Sequence, residues 1–277
     1  SSTDTSGGGG GGSAATVKAE AEIFDWIEVV INRVQEAVAK LGKTVSNVYK
    51  VWSTRNSALG DEIAKTKEEI SIQQQAYDTY SRIASGVTLS EDFKAKIRNG
   101  QMNIEHVEDE EVKRQIGNYE KWYGLAQKAK EAIDDLNVSL SDLAKQKFDN
   151  IGSEFEQLIS LTESQQSQLD KAMDIVTAQG HKISESFYTN LIATENTKQS
   201  QLKSELAGLQ ASLSESVANG SVQQGSEAWV EMQNKINDVS LAIQDSTLSV
   251  IEFNNEIRQL KWDAFDEMQD SIAQVSD

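Results

Sequence analysis

The sequence predicts an all-α fold: long antiparallel helices in two tandem helical repeats of about 120 residues, packed as spectrin-like bundles or as extended coiled-coil hairpins. Three observations carry that expectation. Proline is absent from 277 residues, where ordinary usage would supply roughly 14; proline breaks a helix interior by removing a donor and clashing with the preceding turn. Ala, Leu, Glu, Lys and Gln dominate, and these are strong helix formers. A seam of apolar residues at coiled-coil spacing appears twice and superimposes when the chain is shifted on itself.

The first seam runs Val112, Tyr119, Trp122, Ala126, Ala129, Ile133, Leu136, Leu140, Leu143. From Tyr119 its steps alternate three and four, the pattern of a helix presenting one narrow face. The second runs Trp229, Met232, Ile236, Val239, Ile243, Ser246, Val250, Phe253, Ile257, Leu260, Ala264, and Ser246 alone interrupts it. A shift that puts Val112 on Trp229 also puts Leu140 on Ile257 and Phe148-Asp149 on Phe265-Asp266; it fails at Gln115 against Met232 and at Ala129 against Ser246. A third Phe-Asp stands at Phe24-Asp25, and Asn-Gly recurs at Asn99-Gly100 and Asn219-Gly220, a few residues before each seam. Asn and Gly tolerate positive φ and reverse a chain readily.

The expected organisation is a Gly/Ser-rich flexible linker over 1–22, repeat one over 23–147, repeat two over 148–264, and the start of a third over 265–277. Six consecutive glycines, Gly7 to Gly12, give the linker no packing capacity. Each repeat opens with about 70 residues that divide into two helices. In the second repeat the division falls at Gly180-His181. One apolar series precedes it (Phe148, Ile151, Phe155, Leu158, Leu161, then Leu169, Ala172, Val176), and another follows (Ile183, Phe187, Leu191, then Leu202, Leu206, Leu209, Leu213). Ser184 is the expected N-cap. In the first repeat the break is placed near Ser53-Thr54 or at Gly60-Asp61. A continuous helix from about 110 to 178 would span on the order of 100 Å. Between the helices, Ser90 followed by Glu91 and Asp92 marks a short helix. After Gly100, the period near two of Met102, Ile104 and Val107 marks a brief extended segment.

Composition excludes several chemistries. With no cysteine there is no disulfide and no thiolate metal site. A net charge of −18 opposes direct nucleic-acid binding, which needs a basic face. No apolar run approaches the roughly 18 residues of a membrane span. Leu41 to Thr44 reads LGKT, but Ala37 stands where a phosphate loop needs its first glycine, and the region is helical. His106 and His181 are far apart and form no metal or triad pattern. The run Glu108-Asp109-Glu110-Glu111 suits a helix start, where negative charge meets the dipole. Of the five tryptophans, Trp26, Trp52, Trp122, Trp229 and Trp262, Trp122 and Trp229 lie on seams and Trp26 and Trp262 flank Phe-Asp positions; bundle packing is the expected reading, and a partner-binding stripe is the sharper alternative. Accordingly no catalytic, cofactor-binding or metal residue is assigned, no cofactor is expected, and the chain is read as a non-enzyme.

Several blocks carry a family resemblance. Phe24 to Val38 (FDWIEVVINRVQEAV), Ser46 to Leu59, Ala76 to Ile133 (AYDTYSRIASGVTLSEDF and onward), Gly225 to Ser246 (GSEAWVEMQN and onward) and Asn254 to Gln269 resemble tail tape-measure proteins of long-tailed phages and prophages of Gram-positive bacteria. The resemblance covers Ile23 to Asp277. It implies a fragment of a structural protein assembled in the bacterial cytoplasm and residing in the lumen of the virion tail. That protein sets tail length and assists tail assembly and DNA ejection. Its implied partners are tail-tube and other tail proteins, with homo-oligomers through the coiled-coil seams. The alternative is a spectrin-like coiled-coil scaffold or adhesion-associated interaction protein of a bacterial cell.

Overall fold

A computed structural model describes residues 12–275, and among them there is no strand. The elements are α1 (Gly12–Ser85), α2 (Glu91–Arg98), a 3-10 turn (Ile104–His106), α3 (Glu110–Ala178), α4 (Glu185–Ala218) and α5 (Glu227–Val275). The all-α class therefore holds. Residues 1–11 of the expected linker lie outside the described residues; from Gly12 the chain is helix. The side chains of Phe24 and Trp52 also lie outside them.

Local chemistry sets most boundaries. Ser90 is extended (φ −63°, ψ 150°) and its hydroxyl accepts from Phe93 N at 3.4 Å, capping α2. Asp109 caps α3, its Oδ1 accepting from Glu111 N at 2.8 Å and Val112 N at 3.2 Å. Ser226 caps α5 through Trp229 N. At the far ends Gly100 and Gly180 take φ of 68° and 78°, a region costly to any residue with a Cβ. Around Gly180 the C-terminal bonds are those of a Schellman stop: His181 N to Val176 O at 3.1 Å and Gly180 N to Thr177 O at 2.9 Å. Both Asn-Gly pairs stand at turns. Ser184 directly precedes α4, its hydroxyl 2.7 Å from that of Ser186.

Two expectations are corrected. No break occurs at Ser53-Thr54 or Gly60-Asp61: α1 runs through both. One glycine costs a helix interior about 1 kcal/mol, too little to stop a helix flanked by good helix formers. The segment after Gly100 is not simply extended. Asn103 and Val107 have extended dihedrals, but Ile104–His106 between them winds into a 3-10 turn, with Asn103 Oδ1 accepting from Glu105 N.

The chain divides into two compact units. The first draws on Ser1–Trp52, Ile151–Gln210 and Asn234–Asp277; the second on Ser53–Asn150 and Ala211–Gln233. Each unit takes residues from both sides of Phe148. In the first, contacts between α3 and α4 pair Thr162 with Gln201, Glu163 with Lys198 and Gln166 with Glu195. As one number rises the other falls, so the helices are antiparallel. The same holds for α4 and α5, through Glu195 with Ser246 and Glu185 with Lys261. One apolar cluster unites Ile27, Val34 and Val38 of α1, Leu169, Ala172 and Val176 of α3, and Phe187 and Leu191 of α4. In the second unit α1 runs against α3, with Tyr80 on Trp122 (ring centroids 5.8 Å apart) and Asn56 on Lys147.

Both seams are buried for part of their length, and the far end of the second, at Ala264, is exposed. Tyr119, Ala126, Ala129 and Leu140 are buried on α3; Met232, Ile236, Val239 and Ser246 are buried on α5. Ile116, at 0% exposure, belongs to the first seam as well. Leu161 does not belong to its series: it is 55% exposed, and Thr162 takes the inward position.

Candidate functional site: a buried polar layer

Three gaps in the apolar series meet in space. On α3 the series lapses between Leu158 and Leu169, on α4 between Leu191 and Leu202, and on α5 at Ser246. In the first unit these gaps supply Thr162, Gln166, Glu195, Gln201 and Ser246, which form two hydrogen-bonded groups, Gln166–Glu195–Ser246 and Thr162–Gln201. Gln166 Nε2 donates to Glu195 Oε1 at 2.9 Å, and the Ser246 hydroxyl donates to Glu195 Oε2. The Thr162 hydroxyl lies 3.0 Å from Gln201 Oε1 and 3.2 Å from the Leu158 carbonyl. Thr162 and Gln201 are fully buried and Glu195 is 3% exposed. A buried carboxylate is costly unless its oxygens are bonded, and the layer bonds both. The mismatch of Ser246 with Ala129 thus has a physical reason: Ser246 serves Glu195.

A second polar group lies further along the same helices. Gly152 leaves an opening on α3; a Cβ there would stand 2.6 Å from Lys235 Nζ. The Lys235 side chain crosses that opening to reach Glu156 at 3.0 Å. Glu205 of α4 faces the same place and is only 2% exposed. Burial pushes the Glu205 carboxyl up to about 7, Glu156 adds to the rise, and Lys235 opposes it. Such a group could exchange a proton near neutrality, but it is sealed among helices, where no substrate reaches it.

The residues weighed in the sequence do not converge. Thr44 lies within α1 and its hydroxyl donates to the Lys40 carbonyl, so LGKT forms no loop. His106 sits in the 3-10 turn and belongs to the second unit; His181 belongs to the first. The acidic run is used locally: Asp109 caps α3, Glu110 pairs with Lys113, and Glu111 pairs with Arg114 and Gln115. Those bonds hold the Glu111 carboxyl below its usual range. Among the described residues no group of three or more His, Asp or Glu could hold a metal ion. Also among them, no helix is long and apolar enough to cross a membrane. Trp122 and Trp229 are half-buried, whereas Trp26 and Trp262 are 44% and 64% exposed.

In the second unit a cavity of about 300 Å³ is lined by Tyr77, Glu91, Lys94, Arg98, Tyr119 and Tyr123, among others. Its cations are already engaged. Lys94 pairs with Glu91 at 3.3 Å and lies over the Tyr119 ring; Arg98 reaches the Tyr119 hydroxyl at 3.3 Å.

The chain matches no protein-family model, no curated protein and no solved structure. The polar layer was missed in the sequence because each gap was seen singly. The signal was their coincidence, one gap in each of three helices that pack together.

Proposed function

We propose that this chain is a structural, non-enzymatic rod segment of a phage tail tape-measure protein, made of two tandem helical repeats. The observation that carries the reading is the tape-measure resemblance of Ala76 to Ile133 and Gly225 to Ser246. The first block spans the end of α1, α2, the 3-10 turn and the start of α3; the second is the start of α5 with the turn before it. Long helices support it, because length in a helical rod is proportional to residue number and repeats can be added without redesigning a fold. The net charge of −18 also suits a protein that shares a channel with DNA yet must not bind it. The polar groups have roles in packing: Glu195 joins α4 to α3 and α5 by hydrogen bonds, and Glu205 is buried between helices. In this reading the partners are tail-tube proteins and the place is the tail lumen. Mass spectrometry of purified tails of the parent phage should recover peptides of this chain at a fixed ratio to the tube protein. Tails that lack those peptides would point instead to a cellular scaffold.

A further inference from the structure

We infer that α5 carries a second, outward seam that pairs antiparallel with the same seam of a second copy of this chain. The inner seam is taken up within the chain over its first half, where Met232, Ile236, Val239 and Ser246 are buried, and is half-buried from Val250 to Leu260. On the opposite side Leu241, Leu248, Ile251, Trp262, Phe265 and Ile272 are between 45% and 64% exposed. Together with Gln244, Asn255, Arg258 and Gln269, all exposed, they step alternately by three and four from 241 to 272. That is the spacing of a coiled-coil face. The stripe holds two exposed apolar stretches, Leu241–Ile251 and Trp262–Ile272, on either side of a polar centre at Asn255 and Arg258, and exposed apolar surface of this kind marks an interaction surface.

The order of residues along the stripe identifies the occupant. About the midpoint between Glu256 and Ile257 the stripe reads the same in both directions. Leu241 stands opposite Ile272, Leu248 opposite Phe265, and Ile251 opposite Trp262. The polar positions match too: Gln244 with Gln269, and Asn255 with Arg258. A surface that is its own reverse complement fits a two-fold, isologous contact between identical chains. In an antiparallel pair every apolar residue meets an apolar one. The Arg258 guanidinium meets Asn255 of the second copy, with Glu252 of that copy one turn away. Within one chain Arg258 already donates to Asn255 Oδ1, so pairing exchanges this bond between copies. A parallel pair would set Arg258 against Arg258 in the centre of the interface, and like charges there are costly.

The inference is independent of the tail reading, since it concerns the free chain. A tail with distinct ends would receive its rods one way round, so the antiparallel dimer belongs to the protein before assembly. The test uses the full chain. Sedimentation equilibrium at micromolar concentration should give a dimer, and Leu248→Glu/Ile251→Glu should give a monomer of unchanged helicity, both sites being exposed. Because the chain has no cysteine, orientation can be read by disulfide formation. Leu248→Cys mixed with Phe265→Cys should cross-link between the two variants. Leu248→Cys alone should not, because its two copies would lie roughly 25 Å apart. A monomeric protein, a double variant that still dimerises, or self-linking of Leu248→Cys would each overturn the proposal.

Discussion

The seams of α3 and α5 share a register but not a set of neighbours. Beyond the first seam, Phe148, Ile151 and Phe155 are each 1% exposed. Their counterparts beyond the second, Phe265, Met268 and Ile272, are 45–60% exposed. Within the seams, Ala129 of α3 is buried, while Ser246 of α5 is buried against a carboxylate. A heptad pattern therefore states which face of a helix is apolar. Which neighbour covers that face, or whether one does, depends on the rest of the fold.

The sharpest way to break this comparison is to truncate equivalent residues. Phe155→Ala removes a ring from a closed site and should cost about 3–5 kcal/mol. Ile272→Ala, at the equivalent position on α5, should change stability by about 0.5 kcal/mol or less in the monomer. Urea denaturation followed by circular dichroism compares the two, and similar losses would mean that the end of α5 is covered after all.

Glu205 gives the next largest effect. Its folded-state pKa of about 7 lies above the usual carboxylate value, so the folded chain holds this proton more tightly than the unfolded one. Its relative stabilisation is present in full below about pH 4.5 and is lost as pH rises to about 7. The total is on the order of 3 kcal/mol. Glu205→Gln should remove that slope and raise Tm at pH 8 relative to the native protein. An unchanged slope in the variant would place the titration elsewhere.

Ser246→Ala should cost about 1–3 kcal/mol, by taking a donor from the buried Glu195 carboxylate. The converse, Ala129→Ser, places a new hydroxyl at a buried position and should cost a similar amount. If Ser246→Ala is silent, Ser246 does not stabilise the carboxylate. The smallest effect is expected at Gly152→Ala. The flexible end of Lys235 must move aside there, while the helix gains about 1 kcal/mol in propensity, so the net change should be near zero.

Much of the fold was legible because its signals are local. The limits of α3, the Ser90 cap and the two Asn-Gly turns follow from the backbone chemistry of a few residues each. Gly60 misled because a single glycine costs less than the helix around it supplies. The alternation of Met102, Ile104 and Val107 misled because so short a run fits a strand and a 3-10 turn equally well. The polar layer depended on contacts between α3, α4 and α5, which no single segment encodes, although the gaps at Thr162, Glu195 and Ser246 were visible.

The measurement closest to the central claim is tail length in phage carrying an altered parent gene. Deleting residues 148–264 in frame joins Lys147 to Phe265 and restores a Phe-Asp junction. Duplicating the same residues adds what the deletion removes. A ruler built of this chain predicts shorter tails from the deletion and longer tails from the duplication by electron microscopy. The change cannot exceed about 175 Å, the extended-helix limit. Tails of unchanged length in both phages, with normal infectivity, would contradict the ruler.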